Sequence, residues 1–388
     1  MKKIFKILLK IIKWFVIILA IIIALLYIFG YGYLVRGVRV TYLTGHKTAF
    51  LEDYEYFDNR TIEKGTAQPW KISKGYNKVP TTEKLNQINK DLGTTSFLII
   101  KGDSIWHESY YDIGSETAKT NSFSMAKSIV SSALGKAIDL KMIPNLDAKV
   151  IDYLPELKGQ YAKDLTVGDL SSMASGHSWV EDYYGPTSLT SQAYFKKDIR
   201  ELILSLGVDK KPGQKFIYQS GDTQLLAMVL EKATNMKLSD FVSKYFWQPM
   251  GMEQDALWQL DHEGDGIEKA YCCIASNARD FAKFGKLYKQ NGNWNGEQIL
   301  SEDFIQKSIH PRFTESPQYG YGWWLSNYQN KQIYYMRGHL GQFVIVIPED
   351  DLIIVRLGHL KGLQTKTDPH SEDLYIYIDE AQKMIKQK

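Results

Sequence analysis

Apolar residues fill the stretch from Trp14 to Val35 without one charged side chain, mostly Ile, Leu, Val, Phe and Ala. A run of that length crosses a bilayer as a single helix. Residues 36 to 80 show no sustained period and carry Gly45, Gly65, Pro69, Gly75 and Pro80. They read as an irregular segment lying across the main domain, beside its cleft. Helical spacing returns at Leu85, Ile88 and Leu92, with Thr81 or Thr82 as cap and Gly93 as stop. Ser96 to Ile100 and Ile105 to Tyr111 then flank Lys101-Gly102-Asp103-Ser104, the pattern of a β-hairpin.

From there to about residue 300 the pattern is mostly helices and loops. Ile129, Val130, Ala133, Leu134, Ala137 and Ile138 recur at a helical period. Asp169 to Met173, Gly221 to Thr234 and Asn277 to Gln290 are further helices. Strand signals resume at Gly322 to Leu325, Ile333 to Met336, Phe343 to Ile347 and Leu352 to Leu357, and a helix over Glu372 to Lys386 closes the chain. Strands early, helices between and strands late imply an α+β fold. Both ends of the chain complete one antiparallel sheet, with a helical part inserted and a cleft where the two meet.

The helix through Ile129 opens with Asn121-Ser122-Phe123-Ser124-Met125-Ala126-Lys127. Its period puts Ser124 and Lys127 three residues apart on the first turn, sharing a face. A serine hydroxyl is a poor nucleophile until a base takes its proton, and an amine serves only when uncharged. The helix N-terminus and burial both disfavour the ammonium form. The same turn carries free backbone N–H groups, that of Ser124 included, able to face an oxyanion. Downstream, Pro212-Gly213-Gln214-Lys215-Phe216-Ile217-Tyr218-Gln219-Ser220-Gly221 is a turn, a short extended run and a helix start. Tyr218 at such a corner can present its hydroxyl to a site and shuttle a proton to a leaving group.

Charge adds a direction to the apolar run. Lys2, Lys3, Lys6, Lys10 and Lys13 precede it, against Arg36, Arg39 and Lys47 behind it. That excess places residues 1–13 in the cytosol, 14–35 in the membrane and the rest outside, on the periplasmic or exterior side of a bacterial cytoplasmic membrane. A cleaved leader is the alternative, but the run ends in Tyr27-Ile28-Phe29-Gly30-Tyr31 rather than at small residues. Overall charge is +3, from 47 basic and 44 acidic residues, which gives no reason to expect a nucleic-acid partner. The only cysteines, Cys272 and Cys273, are adjacent. They cannot form an ordinary long-range disulfide within the chain and lack metal-site spacing, so they read as buried and structural. With no Gly-x-x-x-x-Gly-Lys loop and no paired metal ligands, neither cofactor nor metal is expected.

Ser-x-x-Lys, then Tyr-x-Ser about ninety residues on, then a glycine-bearing edge strand is an ordered triple. It resembles the serine β-lactamase and penicillin-binding-protein superfamily, in its class C-like esterase and amidase branch, and is most similar to the 6-aminohexanoate-dimer hydrolase group. The similarity extends to Leu165 to Met173 with Ser175-Gly176, Trp179-Val180-Glu181-Asp182-Tyr183, Ser276 to Tyr288, and Gly338-His339-Leu340-Gly341-Gln342 with Pro348. The resemblance implies a β-lactamase/transpeptidase-like sheet flanked by helices with a helical subdomain. The hydrolase domain would span 94–388, with 36–93 as juxtamembrane segment and short helix. It also implies an acyl-enzyme on Ser124, Lys127 keeping the proton mobile, Tyr218 relaying it, and Ser220 near Lys127.

With Gly338 as the third motif's glycine, the resemblance makes the backbone N–H of His339 the second oxyanion donor beside Ser124. In the alternative register, His339-x-Gly341, that donor is Gln342. An imidazole base on His339 is the less favoured variant of the chemistry. Tyr183 would touch substrate, whereas Glu181 and Asp182 read as a solvated loop. No Lys-Thr-Gly is present, which argues against efficient β-lactam hydrolysis.

The expectation is a membrane-anchored serine hydrolase of small ester or amide substrates, with the oligomeric state left open. A β-lactamase or D-alanyl-D-alanine carboxypeptidase, and a non-catalytic cell-wall binding module, are the alternatives.

Overall fold

The computed structural model describes residues 1–365 and 367–387; Lys388, the last residue of the expected domain, lies outside them. In chain order the strands are β1 (Asn59–Ile62), β2 (Lys71–Ile72), β3 (Thr94–Lys101), β4 (Ser104–Tyr110), β5 (Thr120–Asn121), β6 (Ala256–Gln259), β7 (Ile274–Ser276), β8 (Asn293–Trp294), β9 (Glu297–Gln298), β10 (Trp324–Tyr328), β11 (Lys331–Gly338), β12 (Gln342–Ile347) and β13 (Leu352–Gly358). The main sheet runs β10-β11-β12-β13-β3-β4-β2, so the late strands complete a sheet begun by the early hairpin. All its pairs are antiparallel except β2 with β4.

Strands β12 and β13 are buried along their whole length, because helices cover both faces of the sheet. Side chains alternate between the faces. Leu98, Ile100, Val344, Val346, Ile353 and Val355 pack on the side of the helices Ala126–Asp139 and Ala278–Lys289. Phe97, Ile99, Phe343, Ile345 and Ile354 pack on the side of Glu372–Lys386 and Glu83–Asp91. Burial on both faces explains why these strands read as unbroken apolar runs rather than as alternation. The Glu83–Asp91 helix is capped by Thr82, whose hydroxyl accepts from Leu85 N, and Gly93 follows its end with φ +55°.

Two features depart from the sequence expectation. A second sheet, β1-β6-β7-β5, lies where helices and loops were expected. Its strands have two to four residues, too short to show a period. The apolar helix, Lys2–Ile28, starts earlier and ends earlier than the uncharged run, with Gly30 at φ +77° just beyond it. Gly32–Gly37 is a separate short helix that tucks Tyr33 into the protein. All 27 residues of the first helix lie outside the protein's core, and it is long and apolar enough to cross a membrane, a property leader sequences share.

Two buried polar hubs fix the ends of the frame. Arg356 on β13 has no exposed surface, and its guanidinium donates to Thr94 Oγ1 and to the carbonyls of Leu92, Leu340, Gly341 and Leu360. Neutral acceptors thus surround it and tie the β11–β12 turn to the edge of β3. Asp53, equally buried, accepts from Asn121 Nδ2 at 2.9 Å, Tyr194 Oη at 2.6 Å and Gln259 Nε2 at 2.9 Å. It joins residues 50–57 to the segment just before Ser124.

Arg356→Met keeps much of the volume but takes the side-chain donor from the Leu340, Gly341 and Leu360 carbonyls, while that of Leu92 keeps only the Leu360 N–H. It is expected to lower unfolding stability by about 3–5 kcal/mol, read as a shifted denaturant midpoint at unchanged m-value.

Candidate active site

Ser124 does not lie on the α-helix itself. It sits in a 3₁₀ turn, Phe123–Met125, that runs into the helix Ala126–Asp139. Phe123 adopts φ +44°, a left-handed conformation disfavoured for a bulky side chain. The neighbours hold it there: Phe123 N donates to Asn121 Oδ1 at 2.8 Å, Ser122 N to Ile274 O at 2.7 Å and Asn121 N to Leu51 O at 2.8 Å. The result is a sharp corner at which Ser124 alone keeps partial solvent access while the residues around it are buried.

Lys127, on the first turn of the helix, is 3% exposed. Its Nζ lies 3.0 Å from Ser124 Oγ, 3.1 Å from Ser220 Oγ and 2.7 Å from the carbonyl oxygen of Tyr271. The rings of Tyr218 and Tyr271 flank it at 5.1 and 5.7 Å. Burial pulls its pKa down to about 8, with Glu181 and Asp222 opposing that fall. A free amine beside a serine hydroxyl is therefore accessible near neutral pH. Tyr218 reaches the site from the extended run ahead of the helix Ser220–Thr234. Burial raises its phenol, a hydrogen bond with Ser124 pulls the other way, and its ring lies 5.3 Å from Trp324.

The end of β11 closes the other side. A Cβ on Gly338 would stand 2.2 Å from the carbonyl oxygen of Ser122, so only glycine lets this strand approach the corner. His339 follows it. Its ring is stacked on Tyr183 at 5.4 Å and meets Phe123 edge-on at 5.7 Å. Burial, with Lys361 and Arg337 nearby, lowers its pKa to about 4, so the imidazole is neutral at physiological pH. Gln342 starts β12, paired with Gly338, and its side chain is committed to the His339 and Gly358 carbonyls at 3.1 and 2.7 Å. Among the described residues, no three His, Cys, Asp or Glu side chains are gathered closely enough to hold a metal ion.

The structure thus brings Lys127, Tyr218, Ser220, Gly338, His339 and Tyr183 together about the Ser124 corner. Three groups there were not singled out as functional from the sequence. Glu181 is no solvated loop acid: it accepts from Ser220 N, Ser220 Oγ and Trp179 Nε1, each at 2.7 Å. Trp179, two residues before it, needs a partner for its indole N–H when buried, but the sequence did not show that Glu181 would be that partner. Tyr271, with its carbonyl on Lys127 and a buried hydroxyl that has no partner among the described residues, carried no sequence signal. The same holds for Asp222, bonded to Ser175 at 2.6 Å. Cys272 and Cys273, next to Tyr271, are joined to each other and buried.

The Beta-lactamase family model matches residues 82–373. The chain belongs to that family. The 6-aminohexanoate-dimer hydrolase of Paenarthrobacter ureafaciens is 25% identical over 313 residues, covering 72% of this chain and 78% of that protein. Among solved structures, a Bacillus anthracis protein with a provisional assignment as a 6-aminohexanoate-dimer hydrolase superposes with TM-score 0.68 at 18% identity, covering 86% of this chain and 92% of the other. The D-amino acid amidase of Ochrobactrum anthropi SV3, complexed with L-phenylalanine amide, gives 0.56 at 16% identity, covering 78% and 96%. The fold is the β-lactamase/transpeptidase one, and the protein is a serine hydrolase of this family.

Gly338→Ala forces β11 away from the Ser122 carbonyl. Labelling of the chain by a fluorophosphonate is expected to slow by about 10–100-fold, measured as a second-order rate against the unaltered protein.

Proposed function

We propose that this chain is a membrane-anchored serine hydrolase that cleaves small esters or amides through an acyl-enzyme on Ser124. The observation that supports it most is the buried Lys127 amine, 3.0 Å from Ser124 Oγ and with its pKa drawn down to about 8. In the free-base form Lys127 takes the hydroxyl proton as Ser124 Oγ attacks the substrate carbonyl. The tetrahedral oxyanion sits between the backbone N–H groups of Ser124 and His339. The approach of Gly338 to Ser122 favours that register over one using Gln342. Tyr218 passes the proton to the departing amine or alcohol, and the same groups then activate water for deacylation.

Several features bear on substrate. Two aromatic pairs lie near Ser124, the Tyr183–His339 stack and Tyr218 with Trp324. Arg337 stands where the wider family has the residue before its motif glycine, with its guanidinium over Trp324 at 4.6 Å. A relative named as a 6-aminohexanoate-dimer hydrolase and a structure of a D-amino acid amidase support small amides, with Tyr183 as a substrate contact. The apolar helix Lys2–Ile28, preceded in its own first turns by lysines and followed by Arg36 and Arg39, is read as the anchor that holds the domain outside the cytoplasmic membrane.

A fluorophosphonate should label Ser124 stoichiometrically. Ser124→Ala should abolish labelling and reduce turnover of p-nitrophenyl esters by at least about a thousandfold. An unchanged rate in that variant removes the proposal.

The pH profile follows from the sign of the Lys127 shift. The amine is active when unprotonated, so kcat/KM should climb about tenfold per pH unit and level off above the value of about 8. A profile flat from pH 6 to 9 would contradict a lysine base.

A further inference from the structure

A serine bonded to a lysine amine raises a question of direction: which atom carries the lone pair, and toward whom. Once Lys127 loses its extra proton it has two N–H bonds and one lone pair for three neighbours. The Tyr271 carbonyl at 2.7 Å can only accept, so it takes one N–H. Ser220 Oγ at 3.1 Å could do either. Its only hydrogen is already given to Glu181 Oε1 at 2.7 Å, and Glu181 Oε2 accepts from the Ser220 backbone N–H at the same distance. Ser220 is thereby left with lone pairs alone to offer, and it takes the second N–H. The Lys127 lone pair has one place left to point, the Ser124 hydroxyl at 3.0 Å.

We propose that Glu181 is a positioning residue: by holding the Ser220 hydroxyl in one orientation it aims the free base of Lys127 at Ser124. The inference rests on the acyl-enzyme reading above. Glu181 never touches the reacting atoms. Its own place is fixed by Trp179 Nε1 at 2.7 Å, on the loop that also carries Tyr183 to the cleft rim. The arrangement therefore ties the aim of the base to the seating of this loop.

Two other roles compete, and both are testable. Glu181 stands at the N-terminus of the helix Ser220–Thr234, whose N-cap residue Gln219 supplies no side-chain cap, so it could serve the helix alone. It could also act as a bare charge. The charged and titratable groups facing Lys127 are Glu181 and Asp222, together with the phenols of Tyr218 and Tyr271. Burial pushes the Asp222 carboxyl well up, so Glu181 is the stronger source of negative potential. That potential raises the Lys127 pKa; removing it would lower the pKa and supply more free base at neutral pH. A charge role alone thus predicts faster reaction near pH 7 at an unchanged alkaline plateau. A helix-cap role alone predicts lost stability with the plateau intact. Aiming predicts a lower plateau, because the base is present but turned toward Ser220.

The test is acylation by p-nitrophenyl acetate across pH 6–10, using the full chain in detergent, for the unaltered protein, Glu181→Gln, Ser220→Ala and the double variant. The alkaline plateau of the acylation rate should fall about 30–100-fold in Glu181→Gln, with its midpoint displaced to lower pH and KM changed less than about threefold. Ser220→Ala takes away the acceptor that holds the second Lys127 N–H, so the amine is free to turn and the plateau should fall by a similar factor. In that background, Glu181→Gln should add less than about threefold. A plateau kept within twofold in either single variant, or losses that multiply in the double one, overturns the inference. Thermal midpoints taken in parallel separate misfolding from misaiming, and Ser220→Ala carries the test should Glu181→Gln fold poorly. An unaltered protein with no burst dependent on Ser124 sinks the acyl-enzyme reading and this one together; a normal burst with an undiminished Glu181→Gln plateau sinks only this one.

Discussion

Lys127 leaves water for three oxygens and two aromatic rings, and the rest of the site is arranged to make that tolerable. A displacement of its pKa from 10.5 to about 8 corresponds to a shift of roughly 3 kcal/mol in the balance toward the neutral amine. Burial supplies that shift, and it leaves a fraction of the amine in its free-base form near neutral pH. Three hydrogen-bond partners keep the same burial from leaving an orphaned polar group. Because each partner comes from a different part of the chain, the amine's environment exists only in the folded state. Ser124 lies on the preceding turn, Ser220 at the start of another helix, and Tyr271 beside the small sheet.

Distant polar hubs transmit stiffness to this centre. Arg356 grips the carbonyls of Leu340 and Gly341, which lie in the turn where Leu340 and Gly341 are both left-handed, at φ +63° and +79°. That turn follows Gly338 and His339, so a buried guanidinium on β13 fixes how closely β11 meets the Ser122 corner. Asp53 does the equivalent on the other side through Asn121, whose side chain also holds the Phe123 amide. The left-handed Phe123 is a local strain that neighbouring bonds over-determine, as is common where a chain must expose one side chain at a corner.

Much of this was legible in the sequence, for reasons that differ between elements. The late strands announced themselves because burial on two faces leaves no polar positions, and the Glu372–Lys386 helix because its apolar face keeps a strict period. The small sheet did not: β5 has two residues and β7 three, and pairing at that length is decided by tertiary contacts rather than by pattern. Periodicity also carried the helix one turn too far, to Ser124, since a 3₁₀ turn leading into an α-helix has nearly the same spacing of buried positions. Of the side chains round the cleft, those belonging to recurrent motifs were findable in order. Glu181 was not, because its partner Ser220 is 39 residues away and its neighbours Asp182, Tyr183 and Tyr184 make the segment look solvated. Proximity through folding, not composition, turned that acid inward.

The segment after the apolar helix belongs to the same argument. Strand β1 pairs with β6 from Asn59↔Gln259 to Ile62↔Ala256, and β6 pairs in turn with β7, whose predecessor in the chain is the Tyr271–Cys273 stretch. Gln259 also donates to Asp53, and Lys269, buried without exposure, donates to the Tyr194 carbonyl at 2.7 Å with its Nζ 3.5 Å from the Phe57 ring. Residues 50–62 are therefore part of the wall behind the Tyr271 carbonyl, not a tether. Cutting the chain after them would expose β6, strip Asp53 from Asn121 and leave Lys269 facing a void where Phe57 had been. The smallest unit that keeps the Lys127 environment must then begin upstream of Phe50, which places the scaffold of the site within a short distance along the chain of the apolar helix Lys2–Ile28.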